Sequence, residues 1–492
     1  MISFTLALGL LIVGYFTYGL FVSKVFGQNP DRPTPVQTHA DGVDYVELPT
    51  WKIFLIQFLN IAGLGPIFGA IMGVMFGPAA FLWIVFGTIF AGGVHDYLSG
   101  MMSLRTDGSS LPEIVGGQLG IGLKNAMRVF ALLLLVLVCA VFVYNPADLL
   151  AMLTPATFNR TFWIVVIFTY YVLATMLPID KLIGKLYPLF GLALLFMAAG
   201  IMVALYSHWG QMPEIWSEFY NHKADPKTNP IFPMMFVSIA CGAISGFHAT
   251  QSPLMARCLK NEKYGRPVFY GAMVTEGIVA LIWAAAAIAF TGGYNGLQDF
   301  LGEGSPAILV NDVSKGWLGA VGGILAVLGV VAAPITSGDT ALRSARLIAS
   351  EFLCMQQRKI ASRLLVSLPI FILCFVVMLM PYDVLWRYFA WSNQVLAVFA
   401  LWAAAMWLAR HRRAYIIALI PALFMTSVTV TYILFAPEGL NLLFEPLFGF
   451  TLGYKTAVGI GIVVASVLLV LFARQAKGLM TDGENVRETF PV

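Results

Sequence analysis

Four ionisable residues, Asp96, His248, Glu276 and Asp339, sit inside long apolar runs of this chain. A charge at the centre of a bilayer is costly, so such a residue reads as functional until a structural partner explains it. His248 follows the run SIACGAIS, Ser238 to Ser245, near the middle of its segment. An unperturbed imidazole titrates near about pH 6.5. It can contact a substrate, exchange a proton, or hydrogen-bond a neighbour as part of the packing. Glu276 reads as a proton-coupling carboxylate or as a neutral or ion-paired packing residue. Asp339, with Thr336, Ser337 and Thr340, offers oxygens of the kind hard cations such as Na⁺ take. Alternatively, Asp339 pairs with Arg343 one turn on. Asp96 reads as a gate or proton residue, or as the partner of an arginine at its helix end. His95 beside it is expected on another face of the helix. Asn393 and Gln394 either bind substrate or join helices by interhelical hydrogen bonds.

The elements that position these residues are membrane helices. Of 492 residues, 59% are hydrophobic and 11% charged, against roughly 25% charged in soluble domains. Mean hydropathy is +0.83. A soluble core could not hide that much apolar surface, so the composition predicts an all-α polytopic membrane protein. The first run, Ile2 to Val22, exceeds a signal-peptide core of about 7–15 residues and lacks a small-residue cleavage site, so a retained helix is expected. Thirteen segments are long and apolar enough to span: 2–22, 53–75, 78–104, 126–145, 161–178, 184–206, 231–256, 267–291, 317–342, 363–380, 387–409, 413–436 and 456–474. Alternate loops hold 23 of the 29 Lys and Arg residues, and the other set holds six. Excess Lys and Arg marks the cytoplasmic side, which predicts an external N-terminus and a cytoplasmic C-terminus.

Two spans are poor continuous helices. The second contains NIAGLGPIFGAIMG, Asn60 to Gly73, and the seventh contains SIACGAISGFHATQSP, Ser238 to Pro253. Proline removes a backbone donor and glycine lowers the cost of unwinding. Unwound backbone at membrane depth survives only where protein or a water-filled cavity covers it. The two breaks are five helices apart, so their helices cross in opposite directions, the pattern of an inverted repeat. The expected organisation is one transporter domain: an extra helix 2–22, a first repeat 53–206, a second 231–409, two further helices within 413–474 and a tail 475–492. Exposed main-chain N–H groups around Ala62, Gly63, Gly65, Ser245 and Gly246 would hold a substrate carboxylate. Packing glycines and proline kinks are the plain alternative.

Other chemistry is missing from the sequence. There is no phosphate-binding GxxxxGK[ST] loop, no GxGxxG after a strand and no HExxH. The five cysteines are scattered without a CxxC pair, which points to packing rather than to disulfides or zinc. An enzyme would need a nucleophile–base pair or a metal cluster, and none is visible. No cofactor, structural metal or nucleic-acid partner is expected. A small-molecule substrate, the lipid bilayer and a coupling ion are expected, with the oligomeric state left open.

Specific stretches then carry a resemblance. DGVDYVELP before the second span, IAGLGPIFG at its break, AGGVHDYLSGMMSLRTDGSSLPEIV, FPMMFVSIACGAISGFHA, TSGDTALRSAR and SNQVLA span residues 41 to about 400. They resemble the carbon starvation protein A (CstA) family of prokaryotic inner-membrane transporters. The resemblance implies a LeuT-like fold and uptake of short peptides or pyruvate-like carboxylates when carbon is scarce. It places Asp96, His248, Glu276, Asp339, Arg343, Arg346, Asn393 and Gln394 on family motif positions. His95 stands where some members carry glutamine. The expected function is a symporter working by alternating access, with H⁺ favoured over Na⁺. Amino-acid cargo, Na⁺-coupled carboxylate symport, a passive channel and a receptor are the rivals.

Overall fold

The computed structural model describes residues 1–175, 179–357, 359–380 and 382–481. Residues 482–492 of the expected tail, the end of the expected 161–178 span and Arg358 lie outside the described residues. Among the described residues every regular element is helical. The chain opens with α1 (Ile2–Phe16) and α2 (Tyr18–Phe26), then α3 (Thr50–Ile61) and α4 (Ala70–Val74). It continues with α5 (Gly93–Arg105), the short α6 (Leu111–Leu119), α7 (Ile121–Leu153), α8 (Arg160–Thr175) and α9 (Ile179–Ser207). The later elements are α10 (Gly246–Ala256), α11 (Gly271–Thr291), α12 (Pro306–Ala326), α13 (Ala332–Phe352), α14 (Ile360–Val377), α15 (Tyr382–Arg410), α16 (Ile416–Phe435) and α17 (Tyr454–Thr481).

Nine described helices are long and apolar enough to cross a membrane, or eleven if two bent pairs each count as one span. One bent pair is α3 with Gly65–Val74, at 53°. The other joins Pro306–Leu325 to Gly329–Phe352. Of the remaining expected spans, 161–178 corresponds to the shorter helix α8, and 231–256 is interrupted over most of its middle.

Burial separates the inner spans from the outer ones. The spans built on α11 and α15 bury 83% of their apolar windows, whereas α14 and Tyr454–Gly478 bury 28% and 22%. The outer helices present Leu365, Leu368, Ile372, Val463 and Val467 outward, as lipid contact requires. Inside, α13 packs along α7, α11 lies against α3 and α4, and α10 is held between α5, α3 and α15. These inner helices carry all four ionisable candidates. Trp386 is buried against Phe389.

Candidate functional site

The second span breaks where its sequence allows no regular helix. α3 ends at Ile61, and Ala62 adopts φ −80°, ψ 36°, outside helical geometry. Pro66, without an N–H, opens the next turn. Gly65 sits at the closest approach: a Cβ there would lie 2.0 Å from the Cβ of Cys241. Cys241 belongs to the interruption of the seventh span, so the two breaks pack directly on each other. Gly63 faces the Phe142 ring and the Ser337 hydroxyl.

In the seventh span, helical structure stops at Ser238 and resumes at Gly246. Its freed backbone groups find side chains. Asn393 Oδ1 accepts from the Phe247 N–H at 2.7 Å and from Ser245 Oγ at 3.0 Å. Gln394 Nε2 donates to the Ala240 and Ile244 carbonyls at 3.1 and 3.2 Å. Thr88 Oγ1 donates to the Gly242 carbonyl at 3.1 Å. An unpaired polar group in this apolar interior would cost several kcal/mol. Asn393 and Gln394 therefore stabilise the unwound segment. Gly246 lets α15 approach, since a Cβ there would lie 2.4 Å from the Asn393 carbonyl oxygen.

One turn into α10, His248 joins two acids. Its Nδ1–H donates to Asp96 Oδ2 at 2.9 Å, and its Nε2 lies 3.4 Å from Glu276 Oε2. Asp96 Oδ1 meets His95 Nδ1 at 2.7 Å. All four side chains are fully buried. α5, α10 and α11 thus place a carboxylate–imidazole–carboxylate row at their common contact. The row is neutral with His248 cationic and one carboxyl protonated. Gain or loss of one proton changes its net charge by one in a medium of low dielectric. Both Glu276 oxygens lack a hydrogen-bond partner, as do both side-chain amide atoms of Asn60 on α3 and Gln394 Oε1. Buried polar atoms are normally paired, so the two unpartnered Glu276 oxygens mark a place for a proton, water or ligand.

Asp339 lies apart from that row. Its Oδ2 accepts from the Tyr187 hydroxyl, and its Oδ1 is unpartnered. Ser337 Oγ donates to the Leu59 carbonyl at 3.1 Å, next to the break of the second span. Thr336 and Thr340 donate back to carbonyls of their own helix. Pairing of Asp339 with Arg343 is replaced by a longer-range arrangement: Arg343 and Arg346 face Asp44 at 3.4 and 3.7 Å. His95, expected on another face, touches Asp96 directly. Asp44, Asn60 and Tyr187 are the residues that sequence reasoning passed over, and His95 is one it set aside. Asp44 stands inside the DGVDYVELP stretch, so its signal was present without an assigned partner.

Two helix breaks that pack on each other, beside a buried carboxylate–imidazole–carboxylate row, are held in an all-helical membrane fold. A solved structure of MhsT with L-phenylalanine superposes with TM-score 0.54 at 12% identity, covering 88% of this chain and 99% of that one. A mutant of the manganese transporter of Eremococcus coleocola gives 0.52 at 12% identity over 90% and 97%. The sequence profile of the carbon starvation protein CstA family matches residues 1–158, 148–300 and 294–432, and the chain belongs to that family. An uncharacterized membrane protein of Haemophilus influenzae is 43% identical over 62% of this chain and 95% of its own length. The peptide transporter CstA of Campylobacter jejuni is 27% identical over 56% of this chain and 48% of its own. The pyruvate/proton symporter BtsT of Escherichia coli is 26% identical over 56% and 47%. The matches thus span about half the length of these curated transporters. With the apolar spans, membership of this family makes the chain a multi-pass protein of the bacterial inner membrane, and the relatives named for an activity are transporters.

Proposed function

We propose that this chain is a proton-coupled symporter that imports a small carboxylate, pyruvate-like or a short peptide. The carrying observation is His248 between Asp96 and Glu276, fully buried beside the contact of the two helix breaks. One proton added to that row changes its charge state, and a substrate carboxylate nearby makes that change favourable. The relatives named as peptide transporter and pyruvate/proton symporter support both cargo and ion. We read 53–206 and 231–409 as inverted repeats within a thirteen-span chain, with the basic face cytoplasmic.

In this reading the carboxylate takes the Phe247 N–H and the Ser245 hydroxyl that now donate to Asn393 Oδ1, and Gly63 and Gly65 keep the opposite wall thin. Alternating access then needs Asn393 and Gln394 to release the break. A second reading, Na⁺ coupling at Asp339, rests on its orphaned oxygen and on Ser337 reaching Leu59.

Uptake into proteoliposomes tests both. Pyruvate or dipeptide should accumulate against its gradient when the lumen is alkaline, without Na⁺. Accumulation that requires Na⁺ and ignores the pH gradient would exclude proton coupling. Flux that no ion gradient drives uphill would make the protein a channel. Competition among pyruvate, dipeptides and amino acids assigns the cargo.

A further inference from the structure

A second set of buried charges lies on the basic face. Arg343 and Arg346 on α13 have no exposed surface. Both lean on one oxygen, Asp44 Oδ1, at 3.4 and 3.7 Å, longer than the roughly 2.7–2.9 Å of a good charged hydrogen bond. Arg346 Nη1 donates to Gln357 Oε1 at 2.9 Å, while its Nε and Nη2 have no hydrogen-bond partner. A guanidinium is a fork built for a bidentate carboxylate, and at Arg346 the fork is half used. On the other side of Asp44 is a cavity of about 370 Å³ lined by Asp41, Val43, Asp44, Gln356 and Gln357. Cavities of roughly this volume hold small molecules.

Asp44 reaches the arginines on a strap. Asp41 Oδ1 accepts from the N–H groups of Val43, Asp44 and Tyr45, forming the turn that presents Asp44. Tyr45 OH donates to the Asp107 carbonyl and ties the strap down. Asp44 thus both lines the cavity and faces the two guanidiniums.

We propose that Arg343, Arg346 and Gln357 form a second carboxylate-binding site on the basic face, which Asp44 fills as a tethered competitor for a small carboxylate ligand. The chemistry of the site is independent of the transport reading. Only the ligand's role, as outgoing cargo or as a carboxylate from that compartment, rests on it. A tethered competitor acts at a high effective concentration, so removing its charge uncovers the site.

Equilibrium binding of radiolabelled pyruvate to the full-length protein in detergent tests this. His248→Ala serves as background to silence the first site. Adding Asp44→Asn should raise pyruvate affinity at least about tenfold, through loss of that competitor. Adding Arg346→Gln should abolish the gain. No gain with Asp44→Asn, or a gain that survives Arg346→Gln, overturns the site. Should Arg346→Gln fail to fold, Arg346→Lys keeps the charge but not the fork and should still cut the gain. A gain unaffected by Lys overturns the site equally. Wild-type protein that transports neither pyruvate nor dipeptides sinks the transport reading, while the binding gain still stands. In oriented proteoliposomes, pyruvate on the basic side that inhibits wild type but not Arg346→Gln marks a ligand from that compartment. A lower kcat at unchanged KM in Arg346→Gln marks outgoing cargo. Either result supports the site, and identity with wild type in both overturns it.

Discussion

At the scale of single residues, His248 does what none of its neighbours can: it touches two carboxylates from different helices through its two ring nitrogens. A side chain that hydrogen-bonds but cannot carry a proton should leave the packing and remove the coupling. His248→Gln is expected to reduce pH-driven uptake about a hundredfold, the usual scale of a positioned proton donor. Its pH profile should flatten. An unchanged profile would remove the residue from the proton path. Glu276→Gln keeps the shape and deletes the charge, so accumulation should fall far more than counterflow exchange. Equal losses in both assays would leave Glu276 as a packing residue.

At the scale of elements, the two breaks depend on each other. Gly65 and Cys241 meet so closely that a methyl group on Gly65 has nowhere to go. Gly65→Ala should lower thermal stability and uptake together, and Cys241→Gly in the same chain should restore part of both. Failure of that rescue would place the damage in backbone conformation rather than contact. Asn393→Ala strands the Phe247 N–H and the Ser245 hydroxyl, at a cost of about 1–3 kcal/mol for a buried donor left unsatisfied. A melting temperature unchanged within error would contradict its role in stabilising the break.

At the scale of the whole molecule, the strap that carries Asp44 ties residues 41–45 to α13 and to the Asp107 carbonyl. Burial raises the Asp44 carboxyl, but the guanidiniums of Arg346 and Arg343 outweigh it and hold the group below the ordinary carboxylate range. A depressed carboxyl contributes stability above its unfolded value of about 3.9 and loses it as pH falls through the lower folded value. Exchange protection of the strap should therefore stay constant between about pH 5 and 8, a range above both values. Asp44→Asn should remove that protection throughout the range. Protection that already fades between those limits in wild type would show that a different group holds the strap.

The chain's class was legible because burial of apolar surface is a local, additive property of sequence. Hydropathy and the uneven Lys and Arg distribution mark where helices cross, and Gly with Pro marks where two of them cannot stay helical. The same reasoning flagged Asp96, His248 and Glu276, since a charge in an apolar run is conspicuous without any fold. Partner choice was not legible. Asp339 had Arg343 one turn away, yet Tyr187 takes Asp339, and Arg343 turns to Asp44, 299 residues distant. Asn393 and Gln394 read equally as ligand groups or helix ties, and only the packing of α15 on the break shows which backbone groups they hold. Long-range pairs are decided by how whole helices stack. One sequence names the groups that need partners, and the tertiary structure alone brings the partners within reach.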